Sequence, residues 1–244
     1  MAKTSSLMMV LRFSLLGENN MKMSLTEQEL SRYVAKQLSN YFPDQQQHSL
    51  DIVAIMNKAL QRIDYCFGHI RRKYYQSLDD NGESQTLFNH LNSDHYASFL
   101  YVLSNQAWRE NKITLAEKLF YLNKALNGFD CFYSVELPKI FMLVHPVGTV
   151  LGNAKYQDYL VVYQNVTVGS TLAGVYPEFG KGCILYSKAS VIGDCHIGAN
   201  TIIAANAMVI NFNVSNDQMA LGLYPNCRLS SSNIKVKEDI FDIK

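Results

Sequence analysis

The chain is predicted to be α+β: an N-terminal α-helical domain over residues 24–133, then a C-terminal parallel β-helix of hexapeptide repeats over 134–230. Residues 1–23 read as a disordered leader and 231–244 as a C-terminal tail. Three observations predict this. Composition changes at Ser134: residues 1–133 hold 18 Leu, 4 Val and 4 Gly, and residues 134–244 hold 9 Leu, 13 Val and 9 Gly. Leu favours helices, Val favours strands and Gly favours turns. Before the break apolar residues recur at helical spacing, and after it they recur every six residues.

In the leader, Lys3 precedes an apolar run from Leu7 to Leu16, but Arg12 interrupts it and no small-x-small cleavage site follows, so a secretory signal is not expected. Ser24-Leu25-Thr26-Glu27 reads as a capping box, after which Leu30, Val34, Leu38 and Tyr41 hold helical spacing until Pro43. A second helix is expected to carry Val53, Met56, Leu60, Ile63 and Phe67, and the charged stretch Asp79–Ser84 breaks the pattern. Tyr96, Phe99, Leu100, Leu103 and Ala107 mark a third helix. Leu115, Leu119, Leu122 and Leu126 mark a fourth, capped by Gly128. These stripes are core positions or an interface with another subunit.

From Gly182 onward, Leu185, Val191, Ile197, Ile203 and Val209 keep an unbroken stride of six. Four places after each stands a small residue: Ala189, Cys195, Thr201, Ala207 or Asn213. Such a period fits neither a helix nor a simple strand and matches the hexapeptide parallel β-helix, in which three hexads close one triangular coil. Coils then stack at the strand spacing, so backbone groups find partners above and below. The segment Gly169–Phe179 lacks the stride and is expected to be a loop thrown out of one coil.

Composition excludes several classes. With 48% apolar and 18% charged residues the 244-residue chain can bury a substantial core. Its 22 Lys+Arg against 21 Asp+Glu leave a net charge of +1, which offers no electrostatic footprint for nucleic acid or an anionic membrane. No stretch approaches the length of a transmembrane helix. The five cysteines are odd in number and form no CxxC pair, so no metal site is expected and a reducing cytoplasm fits best. Cys183 and Cys195 fall on the small positions and read as packing thiols.

Leu143-Val144-His145-Pro146-Val147-Gly148-Thr149-Val150-Leu151-Gly152, then Gln164-Asn165-Val166-Thr167-Val168-Gly169, the hexads, and Gly222-Leu223-Tyr224-Pro225 with Arg228 together resemble the serine O-acetyltransferases. That family belongs to the left-handed β-helix acyltransferases. The resemblance covers about residues 134–230 and implies a left-handed coil, acetyl-CoA as co-substrate, a small-molecule acceptor, and a homotrimer or a hexamer made of two trimers. It also implies that His145 is the catalytic base. Val135-Glu136-Leu137 resembles the segment carrying the family's carboxylate partner, so Glu136 is the candidate, but the stretch to the histidine is one hexad shorter and Asp130 is the alternative. The pantetheine arm is implied to pass small residues, here Gly169, Ser170, Ser187 and Ala205, although coil corners need small residues in any case.

Two departures bear on the acceptor. Val144 stands where the family has Asp, and Val175-Tyr176-Pro177 stands where it has Arg-His-Pro. A carboxylate-bearing acceptor wants an Arg fork, so Tyr176 becomes the candidate acceptor contact and a sugar hydroxyl or amine an alternative to serine. A non-catalytic β-helix scaffold is the remaining alternative. Asp94, ahead of the Tyr96 helix, is either a helix cap or a group reaching the acceptor across the domain junction. Arg71-Arg72-Lys73 reads as a solvated face or a contact for coenzyme A phosphates. Transfer itself needs a base for the acceptor hydroxyl, which a neutral imidazole supplies at physiological pH, and backbone N–H groups near Gly169 or Ser170 could hold the oxyanion.

Overall fold

The computed structural model describes residues 21–242. The expectation of a disordered leader lies outside them for residues 1–20 and does not hold at Lys22–Met23, which form a strand. Helix α1 spans Glu27–Tyr41, α2 Ser49–Phe67, α3 Ser93–Arg109 and α4 Ile113–Asn127. The α1 cap is two residues later than the Ser24 reading: Thr26 is the N-cap, and it forms a reciprocal capping box with Glu29. Ser24 instead bonds His90, accepting from its backbone N–H at 2.9 Å. Helices α1 and α2 each bury one stripe, including Leu30, Val34 and Leu38 of α1 and Met56, Leu60 and Ile63 of α2, while Tyr41 and Val53 at the stripe edges stay exposed; α3 is buried on every side from His95 to Ala107. Helix α4 ends as expected, with Gly128 in the left-handed region at φ +62°.

The helical half also holds a three-stranded sheet that the apolar pattern does not announce. Lys22–Met23 pairs in parallel with Leu87–Phe88, and Gln76–Leu78 pairs antiparallel with Ser84–Phe88. The break at Asp79–Ser84 is the turn of this hairpin, closed by the Asp79 carboxylate accepting from the Asn81 and Glu83 amides at 2.9 and 2.8 Å.

The coil begins at Asp130–Cys131, ahead of the compositional break, and its strands form three parallel faces. The first carries Phe141–Val144, Leu160–Tyr163, Ile184–Leu185, Ile202–Ile203 and Gln218–Leu221. On the second are Asp130–Cys131, Val150–Leu151, Thr167–Gly169, Ser190–Ile192 and Met208–Ile210; the third pairs Glu178–Phe179 with His196–Ile197. Register stacks Leu143, Val162, Leu185, Ile203 and Ala220 in one inward column and Cys131, Leu151, Val168, Val191 and Val209 in another. Thus the stride of six is the recurrence of the inward position on successive faces. Phe179, only 2% exposed, is such a position, so Glu178 and Phe179 belong to the coil and the loop is confined to 170–177.

On the first face Met142, Val161, Ile184 and Ile202 point the other way and are buried too. A strand covered on both sides reads as a continuous apolar run. The end of α2 lies against this face, with the Cys66 thiol donating to the Phe141 carbonyl at 3.1 Å. The tail returns over it as well: Arg228–Ser231 pairs antiparallel with Gln218–Leu221, a short helix α5 follows at Val236–Ile240, and Phe241 bridges to Ile70.

Several corners turn through a residue in the left-handed region. Along one corner these are Asn165, Lys188 and Asn206, at φ +57°, +61° and +60°. Asn tolerates this conformation because its short side chain can bond locally. Replacing exposed Asn206 with Ala should therefore cost about 1 kcal/mol, whereas Asn206→Gly should stay within about 0.5 kcal/mol, read from urea unfolding midpoints.

Candidate active site at one corner of the coil

His145 follows the first-face strand Phe141–Val144 and opens the corner leading to the second face. Six residues, 144–149, make this corner, where the coils above use four, 163–166 and 186–189. The extra residues push His145 outward at φ +50°, with a side chain 74% exposed. Its backbone N–H donates to Asp94 Oδ1 at 3.1 Å, and its Nδ1 lies 3.6 Å from Asp94 Oδ2. Asp94 is 16% exposed and stands in the first turn of α3, held there by the Asn92 cap, whose Oδ1 accepts the Asp94 amide at 3.0 Å. Burial pushes the Asp94 carboxyl above its ordinary range, while the His145 amide and imidazole pull it back.

The carboxylate against the imidazole is therefore Asp94, read from the sequence as an acceptor contact or a cap. Neither Glu136 nor Asp130 bonds His145. Glu136 is on the surface, bridged by the Arg109 guanidinium. Asp130 accepts from Lys124 Nζ at 2.6 Å. Each has an adjacent cation from the helical half, and that fixes where its carboxylate points.

The other sequence candidates divide between two corners. Register places Gln164, Ser187 and Ala205 in successive coils at the His145 corner. Gln164, to which the sequence assigned no role, presents a buried Oε1 that has no hydrogen-bond partner among the described residues. Gly169, Ser170 and the 170–177 loop lie at the next corner, between the second and third faces. Tyr176 packs there against its own coil, so closely that a Cβ on Gly152 would come within 2.6 Å of its ring. Within one chain, His145 and Tyr176 thus sit at opposite ends of the second face.

Arg71 is engaged by Asp242 and by the Glu238 carbonyl at 2.9 Å. Arg72 is exposed, has no ion pair among the described residues, and comes near enough to Tyr163 to oppose the upward pull that burial exerts on that phenol. Tyr163 is the register partner of Val144, so Arg72 stands beside the His145 corner. The cysteines are free. Burial pushes the Cys183 thiol up to about 12, which makes it inert packing.

Comparison with solved structures gives a soybean serine acetyltransferase complexed with serine, at TM-score 0.65 and 18% identity, covering 85% of each chain. The fold is that of the serine acetyltransferases. A Brucella abortus serine acetyltransferase in complex with coenzyme A matches at TM-score 0.64 and 17% identity, covering 86% of this chain and 83% of that one. In sequence, a serine acetyltransferase of Staphylococcus xylosus is 24% identical over 120 residues, 48% of this chain. This chain spans about half the length of the curated relatives it matches, 56% and 48% for two of them. No family model matches. The chain is thus similar in fold to the serine acetyltransferases, a helical region followed by a parallel β-helix. No helix among the described residues is long and apolar enough to cross a membrane.

Proposed function

We propose that the protein transfers an acetyl group from acetyl-CoA to the hydroxyl of a small acceptor, with His145 as general base. The observation that carries this reading is the His145–Asp94 pair at a widened coil corner. Asp94 faces Nδ1, which leaves Nε2 to take the acceptor proton. The acceptor oxygen attacks the thioester carbonyl carbon, the C–S bond breaks, and the imidazolium returns its proton to the departing thiolate. Asp94 stabilises the imidazolium and fixes the ring tautomer. The pantetheine arm runs along the His145 corner past Ser187 and Ala205. The coenzyme A complex of the Brucella neighbour supports this donor. Thiol release from acetyl-CoA in the presence of candidate acceptors tests the reading, and turnover without any dependence on His145 would defeat it.

Because His145 and the 170–177 loop occupy different corners, a complete site needs the loop of a second copy. We therefore propose a homotrimer in which Gly169, Ser170 and Tyr176 of one protomer face His145 of the next. Light scattering should return about three times the 27.7 kDa chain mass, or six times if trimers pair.

L-Serine is the first acceptor to test, supported by the serine complex of the soybean neighbour. Its carboxylate needs a cation, and the family's loop arginine is Val175 here. Arg72 supplies one instead. Arg72→Ala should raise the KM for L-serine about tenfold, the loss of one charge-assisted hydrogen bond, and leave kcat within about twofold. An unchanged KM in steady-state kinetics would remove Arg72 from serine binding.

A further inference from the structure

We propose that a cleft between α2, α3 and the segment 137–141 binds a small organic carboxylate with an apolar body. The cleft encloses about 510 Å³, within the size range of small-molecule sites, and none of the residues assigned to the His145 corner lines it. The inference does not depend on acetyl transfer.

Lys58, Arg62, Arg109 and Lys139 all line the cleft. Two of these cations already have carboxylates: Lys58 meets Glu110 at 2.9 Å, and Arg109 meets Glu136. Arg62 has none. It is half-buried, and its guanidinium donates only to neutral acceptors: Nη1 to the Val102 carbonyl at 3.4 Å and Gln106 Oε1 at 3.2 Å, Nη2 to Asn105 Oδ1 at 2.8 Å. Of the five N–H groups of a guanidinium, these bonds use three, leaving the Nε hydrogen and one on Nη2 uncommitted. Burial, then the neighbouring Arg109 charge, disfavours the cation, and the Tyr101 phenol and Glu136 carboxylate oppose them more weakly. Lys139 likewise has no ion pair among the described residues.

A desolvated guanidinium is ordinarily met by an anion. Here three neutral dipoles fix its orientation without neutralising it, so its free edge is held ready for the two oxygens of a carboxylate. Lys139 adds a second positive charge. The remaining lining includes Leu137, Pro138 and Phe141, which gives the ligand an apolar body rather than a compact phosphate.

The test uses the full chain, with benzoate and hexanoate as probes and benzamide and inorganic phosphate as controls, followed by calorimetry. At least one carboxylate should bind once per chain, and benzamide and phosphate should bind at least about tenfold more weakly. Arg62→Gln should weaken binding about tenfold or more, and the exposed-side variant Lys139→Ala about threefold. Absence of carboxylate binding at about 10 mM, benzamide or phosphate binding as tightly as benzoate, or unchanged affinity in Lys139→Ala would each overturn the proposal. If Arg62→Gln fails to fold, Lys139→Ala and the benzamide comparison decide it.

Discussion

Replacing His145 with Asn should reduce acetyl transfer by about two to four orders of magnitude, the usual worth of a positioned general base, with little change in melting temperature. Asn is the informative substitution because position 145 sits at φ +50°, which Asn tolerates and Ala resists. The side chain is 74% exposed, so its removal leaves no cavity. Asn has no basic nitrogen, so only proton removal is lost. Asp94→Asn should cost less, about tenfold to a hundredfold in kcat, because an amide can still accept the His145 backbone N–H but cannot stabilise the imidazolium. The check is coenzyme A thiol release under saturating donor for both variants. A His145→Asn protein that retains wild-type turnover would remove His145 from the mechanism, and equal losses in both variants would mean the pair acts as one unit.

The coil was legible because its geometry repeats: the inward position recurs on every face, so Leu185, Val191, Ile197, Ile203 and Val209 keep one stride. The helical stripes were legible for the same reason at a different period. The Gln76–Leu78 and Ser84–Phe88 hairpin was not, since three and five residues are too short for alternation to declare itself. Motif resemblance singles out His145, whereas Asp94 is singled out only as a cap or an acceptor contact and not as the carboxylate facing the imidazole. Asp94 lies 51 residues upstream on another element, and such contacts leave no local pattern. Glu136 stood in the segment that resembles the family's acid, but its direction is set by Arg109 across the domain junction. The corner bulge that lifts His145 out of the coil is hidden too, because counting hexads gives no register until strands are paired.

Folding stability should fall by about 3 kcal/mol as pH drops from 6.5 towards 4, through one buried histidine beside the site. His95 is fully buried among Phe67, Tyr75 and Phe88, with ring centroids at 4.9, 4.4 and 6.3 Å. Burial lowers its pKa to about 4 from an ordinary 6.5. Its Nδ1 accepts the Asn89 amide at 3.2 Å, so the ring proton sits on Nε2, which has no hydrogen-bond partner among the described residues. A second proton would have to displace the Asn89 bond as well as charge an aromatic box. Between the two pKa values the unfolded chain binds this proton and the folded chain does not, so stability is full above pH 6.5 and is lost as pH falls. Neighbouring Asp94 acts in the opposite sense, since its raised pKa makes the folded state the better proton acceptor, but only from its own window upward from 3.8. His48, also lowered by burial, adds to the loss and stays in place in the variant. His95→Asn keeps an acceptor for Asn89 and removes the titration. Urea unfolding at pH 7 and pH 5 should show a stability loss in the wild type that exceeds the variant's by about 2 kcal/mol; equal losses would place the acid sensitivity elsewhere. His95 adjoins Asp94 in the first turn of α3, so unfolding driven by this protonation would also separate Asp94 from His145.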